Sequence, residues 1–400
     1  MKERRIKSQT EIGKGKSKGK SKGGIVVVPP SDEDEAHKGK CEEGVDDKDN
    51  IWGYNMKDQI FEYGDQHLNK WNYNFEKLLK FSDDHILETM FIYFFHKFDL
   101  FSEEMPYELM LKWITTITSM YNPENPYHNA YHAADALQAA SYIISRPKIS
   151  QYLDQDMRLA LLVSVAIHDI MHPGKTNAFL ISTSGQVAID YNDRSVLENN
   201  SVALAFDLMK KNPELNIFAF MNPVRYYKMR RFIIRLVLAT DMGHHKPMLE
   251  LFKNRLAVGF DPSSHITSME TPDRNGLNRE GKNKHLNDSE LLCVMVIKAA
   301  DISNPTRKFE LSKMWGKRLR NEFYLQGDAE RARGMVVTKF MDRNIPTDFP
   351  KQQSGFISGV CLGFFDVFFS YAGMDKQLDS LKSNFKSWEE IKTRNESKQK

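Results

Sequence analysis

The sequence predicts an all-α fold, because apolar residues recur at three- and four-residue steps along most of the 400-residue chain. Alternating strand patterns bounded by hairpin turns are nearly absent. Aliphatic, aromatic and cysteine residues make up 41% of the chain, which is enough for a sizeable core. Together these observations favour a packed array of many helices.

The first 50 residues differ in kind from the rest. Residues 1–24 hold nine Lys and Arg against two Glu, and residues 31–50 hold nine Asp and Glu against three Lys. Neither block has an aromatic residue, so neither buries enough apolar surface to offset the entropy of ordering. We expect residues 1–50 to be a disordered charged tail of unknown partner. The alternative is a basic arm that touches anionic lipid, nucleic acid or the acidic block beside it.

Residues 51–395 have the composition of a globular domain. Residues 261–288 are rich in Gly, Asn and Ser and should form a loop, as should residues 342–350. The apolar stretch 359–372 carries Asp366 and is shorter than a bilayer requires, so it predicts a core helix and no transmembrane segment. The helical period is clearest in four stretches, residues 86–98, 109–120, 232–239 and 291–299.

Charge and cysteine content exclude several classes of protein. The net charge of +3 provides no general field for nucleic acid or an anionic membrane. Three scattered cysteines, Cys41, Cys293 and Cys361, cannot form a disulfide framework, which favours a reducing, cytoplasmic setting. No secretory signal or lipidation motif is visible, so we expect a soluble protein.

Two histidine pairs carry the strongest chemical signal. His128 and His132 form one pair, and His168 and His172 form the other. On a helix, four-residue spacing places both imidazoles on one face, and residues 173–174 should end the second helix. A structural histidine seldom has a carboxylate beside it and another histidine one turn away. The two pairs therefore indicate a metal-centred hydrolytic site.

The candidate metal ligands are His132, His168, Asp169 and Asp301. Apolar runs precede His168 and Asp301, so these polar groups emerge from buried helices and need partners that a divalent cation provides. Two imidazoles and two carboxylates suit zinc, and a spare carboxylate oxygen can bridge to a harder ion such as Mg²⁺ or Mn²⁺. Two such ions about 3.5–4 Å apart would activate a water for in-line attack at phosphorus.

Seven segments occur in the order seen in one enzyme family, and the match as a whole runs from about residue 71 to residue 369. The chain resembles the catalytic domain of the class I 3′,5′-cyclic nucleotide phosphodiesterases, which are HD-type metal phosphohydrolases. The resemblance implies a compact all-helical catalytic domain over residues 51–395 with a deep metal-containing pocket. The segments are residues 127–135, 168–177, 191–199, 238–242, 301–305, 326–328 and 353–356.

The resemblance also assigns roles around the metals. By motif position, His128 matches the general acid that protonates the departing O3′, and Glu322 matches the carboxylate that orients it. The same four residues, His132, His168, Asp169 and Asp301, match the ligands of the first ion, and Asp169 would also touch the second. Positions that hold the waters of the second ion are matched by His172, Glu198, Thr240 and Asp241.

A purine pocket is implied in the same way. Gln353 matches the glutamine whose amide reads the purine edge, and an amide serves adenine or guanine according to which way it is turned. Phe356 and Leu319 match the residues on the two faces of the base. Other pocket-lining positions are matched by Tyr127, Met242, Asn304 and Phe323. The implied function is hydrolysis of cAMP, cGMP or both to 5′-monophosphates, which ends or shapes a cyclic nucleotide signal.

The chain departs from the family after Asn199, where most members have two histidines and this chain has Asn200 and Ser201. The loss of two imidazoles puts the hydration of the second metal in question. One alternative is therefore a relative that binds cyclic nucleotide without cleaving it. Another is a His-Asp phosphohydrolase that acts on nucleoside triphosphates, against which Gln353 and Phe356 argue. The oligomeric state is open, with a homodimer as one expectation.

Overall fold

A computed structural model describes residues 56–263, 286–345 and 348–399. By backbone contacts, the described residues all belong to one compact unit. Within them every regular element is helical, so the predicted fold class is confirmed. The predicted tail, Cys41 and most of the predicted loop 261–288 lie outside the described residues.

The first half of the domain contains both short helices and helices of three to four turns. These are α1 (Lys57–His67), α2 (Phe75–Phe81), α3 (Ile86–Lys97), α4 (Tyr107–Ser119), α5 (Ala130–Ile144), α6 (Pro147–Ser150), α7 (Gln155–Ile167), α8 (Asn177–Ser182) and α9 (Gln186–Asp190).

The second half contains the longest helices. These are α10 (Val196–Lys211), α11 (Pro223–Leu238), α12 (His245–Val258), α13 (Asp288–Asp301), α14 (Phe309–Ala332), α15 (Phe349–Phe356), α16 (Leu362–Ala372) and α17 (Asp375–Gln399). Single 3₁₀ turns lie at Pro213–Leu215, Met242–His244, Asn304–Thr306 and Lys339–Met341.

Asparagine and aspartate caps set the starts of the helices that matter for the site. The side chain of Asn129 accepts from backbone amides at the start of α5, and Asp154 and Asn222 do the same for α7 and α11. Asn287 begins α13 with a capping box, in which Glu290 reaches back to the backbone amide of Asn287. Each cap satisfies amides that a helix start leaves unpaired.

Three helices form the centre of the core. Helices α5, α7 and α13 are buried over nearly their whole length, and α5 packs against both of the others. Their runs of Ala, Leu, Val and Ile leave room for close packing, and each large apolar side chain that is fully buried contributes about 1.5–3 kcal/mol. Because the core fixes all three, the polar residues at their ends have fixed relative positions.

The four periodic stretches are confirmed as α3, α4, α11 and α13, although α11 begins nine residues earlier than residue 232. Two predicted boundaries are wrong. The second histidine helix does not continue to residues 173–174: α7 ends at Ile167, and His168 caps it. The predicted loop 342–350 is too long, because Asp348 caps α15, which begins at Phe349.

The predicted core helix 359–372 is confirmed in its second part, where Phe364, Phe365 and Phe368 are fully buried in α16. A single π-helical turn, Ile357–Cys361, precedes it, which the sequence pattern did not predict. By length and hydropathy alone, Phe349–Ala372 is one candidate for a membrane span, and 39% of its most apolar window is buried. Core helices pass the same test, so this is weak evidence for a span.

Candidate metal centre and active site

The four predicted metal ligands converge from three helices. His132 Nε2 lies 3.0 Å from Asp301 Oδ1 and 3.7 Å from Asp169 Oδ2. His168 Nε2 lies 3.1 Å from Asp169 Oδ2 and 3.5 Å from Asp301 Oδ1. His132 is on α5, His168 and Asp169 follow α7, and Asp301 ends α13. Residues 169 positions apart along the chain thus surround one point.

The hydrogen bonds of His168 prepare it to bind a metal. Its Nδ1 donates to the carbonyl of Val165 at 2.8 Å, which leaves the lone pair on Nε2. Nε2 is buried and forms no hydrogen bond within the described residues. Burial lowers the pKa of His168, but the carboxylates of Asp169 and Asp301 outweigh burial and raise it well above its usual value. The donor set therefore fits a divalent cation, which would compete with a proton for this nitrogen.

The carboxylates of the centre are ionised. Burial raises the pKa of Asp169, but His168, His128 and His172 lower it well below the usual value. Burial also raises the pKa of Asp301, and its interactions with the nearby imidazoles of His132 and His168 lower it by more than burial raises it. Two carboxylates and neutral imidazoles are the donors that zinc takes in proteins.

The four-residue spacing predicted that His128 and His132 share a helix. The structure contradicts this, because α5 begins at Ala130. His128 lies before Asn129, the cap of α5. Its Nδ1 instead forms a short hydrogen bond with Glu322, which also accepts the backbone N–H groups of Tyr127 at 3.0 Å and His128 at 2.9 Å. These three bonds fix the ring and leave its Nε2 directed away from Glu322.

The side chains of His128, Glu322 and His172 have distinct protonation states. Burial lowers the pKa of His128, but the charge and hydrogen bond of Glu322 raise it to about 9. Burial raises the pKa of Glu322, and His128 lowers it to about 2. His172 stacks on His128 with ring centroids 4.0 Å apart, and burial together with the charge of His128 lowers its pKa to about 3. At neutral pH, His128 is a cation beside a neutral imidazole.

Asn125 holds both histidine segments together. Its Nδ2 donates to the carbonyls of His128 at 2.8 Å and His172 at 2.7 Å. Gly174 has a φ of +65°, and a Cβ there would lie 2.7 Å from Asn125 Oδ1. Glycine is therefore required after Pro173 for close approach as well as for the left-handed turn. Sequence reasoning missed Asn125, and only its place beside the first histidine motif pointed to it.

Glu198, Asp241 and the adjacent Thr240 form a group near Asp169, since the charges of Asp241 and Asp169 both act on Glu198. Asn177 Nδ2 donates to both carboxylate oxygens of Glu198, at 3.0 and 3.3 Å. Burial raises the pKa of Glu198 to about 7, and the nearby charges of Asp241 and Asp169 raise it too. Asp241 accepts from Ser195 Oγ at 2.7 Å and from the amide of Gly243 at 2.8 Å.

Thr240 follows α11, and its hydroxyl donates to the carbonyl of Val237 at 2.8 Å. Lys298 also reaches this turn, with Nζ 2.6 Å from the carbonyl oxygen of Ala239. Burial lowers the pKa of Lys298 to about 8. The sequence carries a signal for Lys298, a lone charge inside an apolar run one turn before Asp301.

Ser201 stands where the family pattern has a histidine, and it has a contact of its own in the structure. It is 2% exposed, and its hydroxyl donates to the carbonyl of Ile170 at 3.0 Å. Ile170 lies between Asp169 and His172 in the turn after α7. Ser201 thus supports that turn directly, whereas Asn200 is half-buried.

The residues matched to the purine pocket lie on α14 and α15. Gln353 packs so closely on Gly316 that a Cβ there would lie 2.5 Å from Gln353 Oε1. Leu319 is one turn beyond Gly316, and Phe356 is one turn beyond Gln353; both are partly buried and pack on the core. The side-chain amide of Gln353 forms no hydrogen bond with any described residue, although its backbone carbonyl accepts from Ile357. The surface between α14 and α15 therefore combines an unengaged amide with apolar side chains.

The remaining matched residues differ in their surroundings. Met242 is 45% exposed. Phe323 contacts the ring of Phe340 with centroids 5.3 Å apart. Tyr127 is buried, and its ring lies 4.5 Å from that of His132.

Each amide atom of Asn304 has one partner among the described residues. Its Oδ1 accepts from Tyr127 at 2.6 Å, and its Nδ2 donates to Asp135 at 2.7 Å. Asp135 also accepts from Tyr73 and pairs with the buried guanidinium of Arg307 at 3.2 Å. The contacts give Asn304 the role of holding Tyr127 against the metal ligands.

Comparison with known proteins agrees with this geometry. The sequence profile of the 3′,5′-cyclic nucleotide phosphodiesterase family matches residues 127–381. A Caenorhabditis elegans protein named probable 3′,5′-cyclic phosphodiesterase pde-6 is 34% identical over 323 residues, which are 80% of this chain and 40% of that protein. The Mus musculus high affinity cAMP-specific and IBMX-insensitive 3′,5′-cyclic phosphodiesterase 8A is 37% identical over 279 residues, 69% of this chain and 33% of that protein.

A solved structure is similar over most of the chain. The structure of LmjPDEB1 in complex with IBMX superposes with a TM-score of 0.71 and 26% identity, covering 84% of this chain and 97% of that one. The chain spans only about a third to two-fifths of the length of the two curated relatives above. The family is metal-dependent, and the described residues contain His and Asp clusters able to hold metal. By its sequence match and its helical fold, the chain belongs to the 3′,5′-cyclic nucleotide phosphodiesterase family.

Proposed function

We propose that this chain hydrolyses 3′,5′-cyclic nucleotides to 5′-nucleoside monophosphates. The observation that carries the proposal is the convergence of His132, His168, Asp169 and Asp301 beside an imidazole that is protonated at neutral pH, His128. A cation site next to a proton donor is what cleavage of a phosphodiester requires, since the attacked phosphorus and the leaving oxygen both need charge compensation.

The proposed cofactors are Zn²⁺ in the first site and Mg²⁺ or Mn²⁺ in the second. His132, His168, Asp169 and Asp301 would hold the first ion, and their nitrogen and oxygen donors suit zinc. Asp169 would reach the second ion, with His172, Glu198, Thr240 and Asp241 holding its waters, an oxygen-rich setting that suits Mg²⁺ or Mn²⁺. When bound, the ions would supply an activated water and neutralise the phosphate charge.

His128 would donate a proton to the O3′ leaving group. Nδ1 is occupied by Glu322, so the transferred proton is the one on Nε2. Glu322 would orient the ring through Oε1, while its Oε2 accepts from the backbone amides of Tyr127 and His128 and so fixes the carboxylate. The resulting imidazolium contributes about 10²–10⁴-fold to the rate by general acid catalysis.

The purine base would bind between α14 and α15. Gln353 would read the purine edge, Phe356 and Leu319 would contact the two faces of the base, and Met242 and Phe323 would line the pocket. Because no described residue fixes the amide of Gln353, both cAMP and cGMP belong to the proposed substrate class. cAMP is the first to test, since the mouse relative is named cAMP-specific.

The proposal extends to the setting of the enzyme. Cys293 and Cys361 are buried free thiols, in agreement with a reducing, cytoplasmic location. Hydrolysis of the cyclic nucleotide would end or shape its signal. A homodimer is the assembly to test, by light scattering.

The test is a turnover assay on the purified full-length chain with cAMP and cGMP, with Mg²⁺ or Mn²⁺ and with a chelator. We expect release of 5′-monophosphate that the chelator abolishes. Asp301→Ala and His168→Ala should lose metal and activity together, whereas His128→Ala should keep its metal and lose most of kcat. His67→Ala, whose ring contacts Lys77 and not the centre, serves as the control.

Three outcomes would contradict the proposal. Metal content and turnover that survive both ligand changes would refute the ligand assignment. An unchanged kcat in His128→Ala would remove it as the acid. Binding of cyclic nucleotide without turnover in any metal would establish the non-cleaving alternative.

A further inference from the structure

Lys298 is buried, although lysine is among the residue types most seldom buried. It is 2% exposed and lies on α13, one turn before Asp301. Every α13 residue from Asp288 to Ala300 is buried as well, so an apolar side chain would meet a smaller desolvation cost at this position. A charge in this place needs an explanation from its contacts.

The ammonium group of Lys298 binds two backbone carbonyls. Nζ lies 2.6 Å from the carbonyl oxygen of Ala239 and 3.5 Å from that of Asp241. Ala239 caps the C-terminus of α11, where the last carbonyls have no partner inside the helix. The two carbonyls stand on either side of Thr240. One side chain therefore closes the end of α11 and holds the turn that follows it.

Ser195 also holds this turn, through the side chain of Asp241. Ser195 Oγ donates to Asp241 Oδ2 at 2.7 Å, and Ser195 is the cap of α10, which carries Glu198. The group formed by Glu198, Thr240 and Asp241 is thus connected to α10 through Ser195 and to α13 through Lys298. Helix α13 also supplies Asp301, so Lys298 connects the two parts of the metal centre.

We propose that Lys298 is a positioning residue for the second metal ion. By binding the carbonyls around Thr240, it sets Thr240 and Asp241 at a fixed place relative to Asp301, where they hold the waters of that ion. This inference rests on the two-metal centre proposed above.

An ammonium group beside a cation site acts in two opposite directions. Its charge repels a divalent cation, so loss of the charge alone would tighten metal binding. Its hydrogen bonds hold the Thr240 turn, so loss of those bonds alone would weaken binding of the second ion. The sign of the change in affinity therefore separates a positioning role from a purely electrostatic one.

The test uses full-length wild type, Lys298→Met, Lys298→Arg and Arg158→Met, each stripped of metal and reconstituted with one equivalent of Zn²⁺. Methionine keeps the length of the side chain, and arginine restores a cationic donor. Arg158 is a matched control, because it donates to the carbonyls of Ser150 and Leu153 near the start of α7. Mn²⁺ binding is measured by electron paramagnetic resonance, and zinc content by mass spectrometry.

We expect Lys298→Met to retain one Zn²⁺ per chain and to bind Mn²⁺ about 10–100-fold more weakly than wild type, as for other residues that orient metal ligands. Lys298→Arg should recover part of the affinity, and Arg158→Met should match wild type. Unchanged or tighter Mn²⁺ binding by Lys298→Met would overturn the inference, as would equal loss of Zn²⁺ and Mn²⁺. A wild-type chain that binds no Mn²⁺ beyond its zinc would instead refute the two-metal centre itself.

Discussion

Single residues set the protonation states on which the proposed chemistry depends. His128 is held as a cation by Glu322, whereas its stacking partner His172 is neutral. The difference comes from Glu322, which binds the ring of His128 and not that of His172. Glu322 thus makes His128 an acid while the neighbouring imidazole of His172 stays neutral.

This separation predicts the pH dependence of catalysis. A general acid must be protonated, so kcat/KM should fall as the pH rises through the pKa of His128, which Glu322 raises to about 9 against the effect of burial. Glu322→Gln removes the negative charge that raises the pKa of His128, so the fall in kcat/KM should occur at lower pH. Rates from about pH 6 to about pH 10 measure the shift.

The control for this experiment is a second His–Glu pair elsewhere. His85 and Glu88 are 3.1 Å apart in α3 and its cap, away from the centre. Glu88→Gln should leave the fall in kcat/KM at the same pH as in the wild type. If Glu322→Gln also leaves it in place, His128 is not the group that titrates.

Gly316 should control how the base is read. A Cβ there would lie 2.5 Å from Gln353 Oε1, so Gly316→Ala must displace the amide. Alanine also favours the helix by roughly 0.5–1 kcal/mol, so the variant should be no less stable than wild type. We expect KM to rise by about threefold to tenfold, the effect of one hydrogen bond worth roughly 0.5–1.5 kcal/mol. Steady-state kinetics and thermal unfolding give the two readouts.

Gly363→Ala gains the same helical preference without touching a pocket residue, because nothing lies within 4 Å of its Cβ position. Its KM should equal that of wild type. A KM that changes equally in both variants, or in neither, would show that Gly316 does not set the position of Gln353.

The sequence was most informative where chemistry demands particular residue types. His132, His168, Asp169 and Asp301 were found because imidazoles and carboxylates at the ends of apolar runs have few other uses. Lys298 and Asn125 were missed because their role is to bind backbone carbonyls, and no residue pattern shows which carbonyls lie nearby in the fold.

At the scale of helices, the periods were easier to predict than the ends. The helix before His168 stops there, and His128 stands outside α5, because the ligands occupy turns whose geometry the spacing alone does not reveal. Helix bodies follow from burial of apolar side chains, while ends depend on caps such as Asn129 that compete with the continuing helix. The π turn at Ile357–Cys361 belongs to the same class of local exception.

A buried ion pair joins α5 to the segment after α13, beside the hydrogen bond from Asn304 to Asp135. Arg307 and Asp135 are both fully buried and lie 3.2 Å apart. Arg307→Met should lower the free energy of unfolding by about 3–5 kcal/mol, because it leaves the carboxylate of Asp135 buried without its counter-charge. Urea titration measures the loss.

The surface pair Arg225–Asp156 provides the comparison, with both side chains 43% exposed at a distance of 2.7 Å. Arg225→Met should cost at most about 1 kcal/mol, since water screens an exposed pair. Similar losses in the two variants would mean that burial does not set the contribution of the Arg307 pair.

Across the whole domain, the metal ligands come from three helices that also form the centre of the core. Because α5, α7 and α13 each contribute, a bound ion would link the same helices that the apolar core packs together. The sequence could predict the ligands and the helices separately. Their common location depends on how α5 packs between α7 and α13, which no single segment encodes.

This shared location predicts that metal stabilises the entire domain. Binding to the folded state alone adds about 4 kcal/mol at a free metal concentration near 1,000 times Kd, so a chelator should lower the Tm of the wild-type chain and Zn²⁺ should restore it. In Asp301→Ala, Zn²⁺ should no longer raise the Tm, because α13 no longer contributes a ligand. Calorimetry with and without Zn²⁺ makes the comparison. An equal zinc-dependent rise in Tm in both proteins would place the stabilising ion elsewhere, whatever the activity of either.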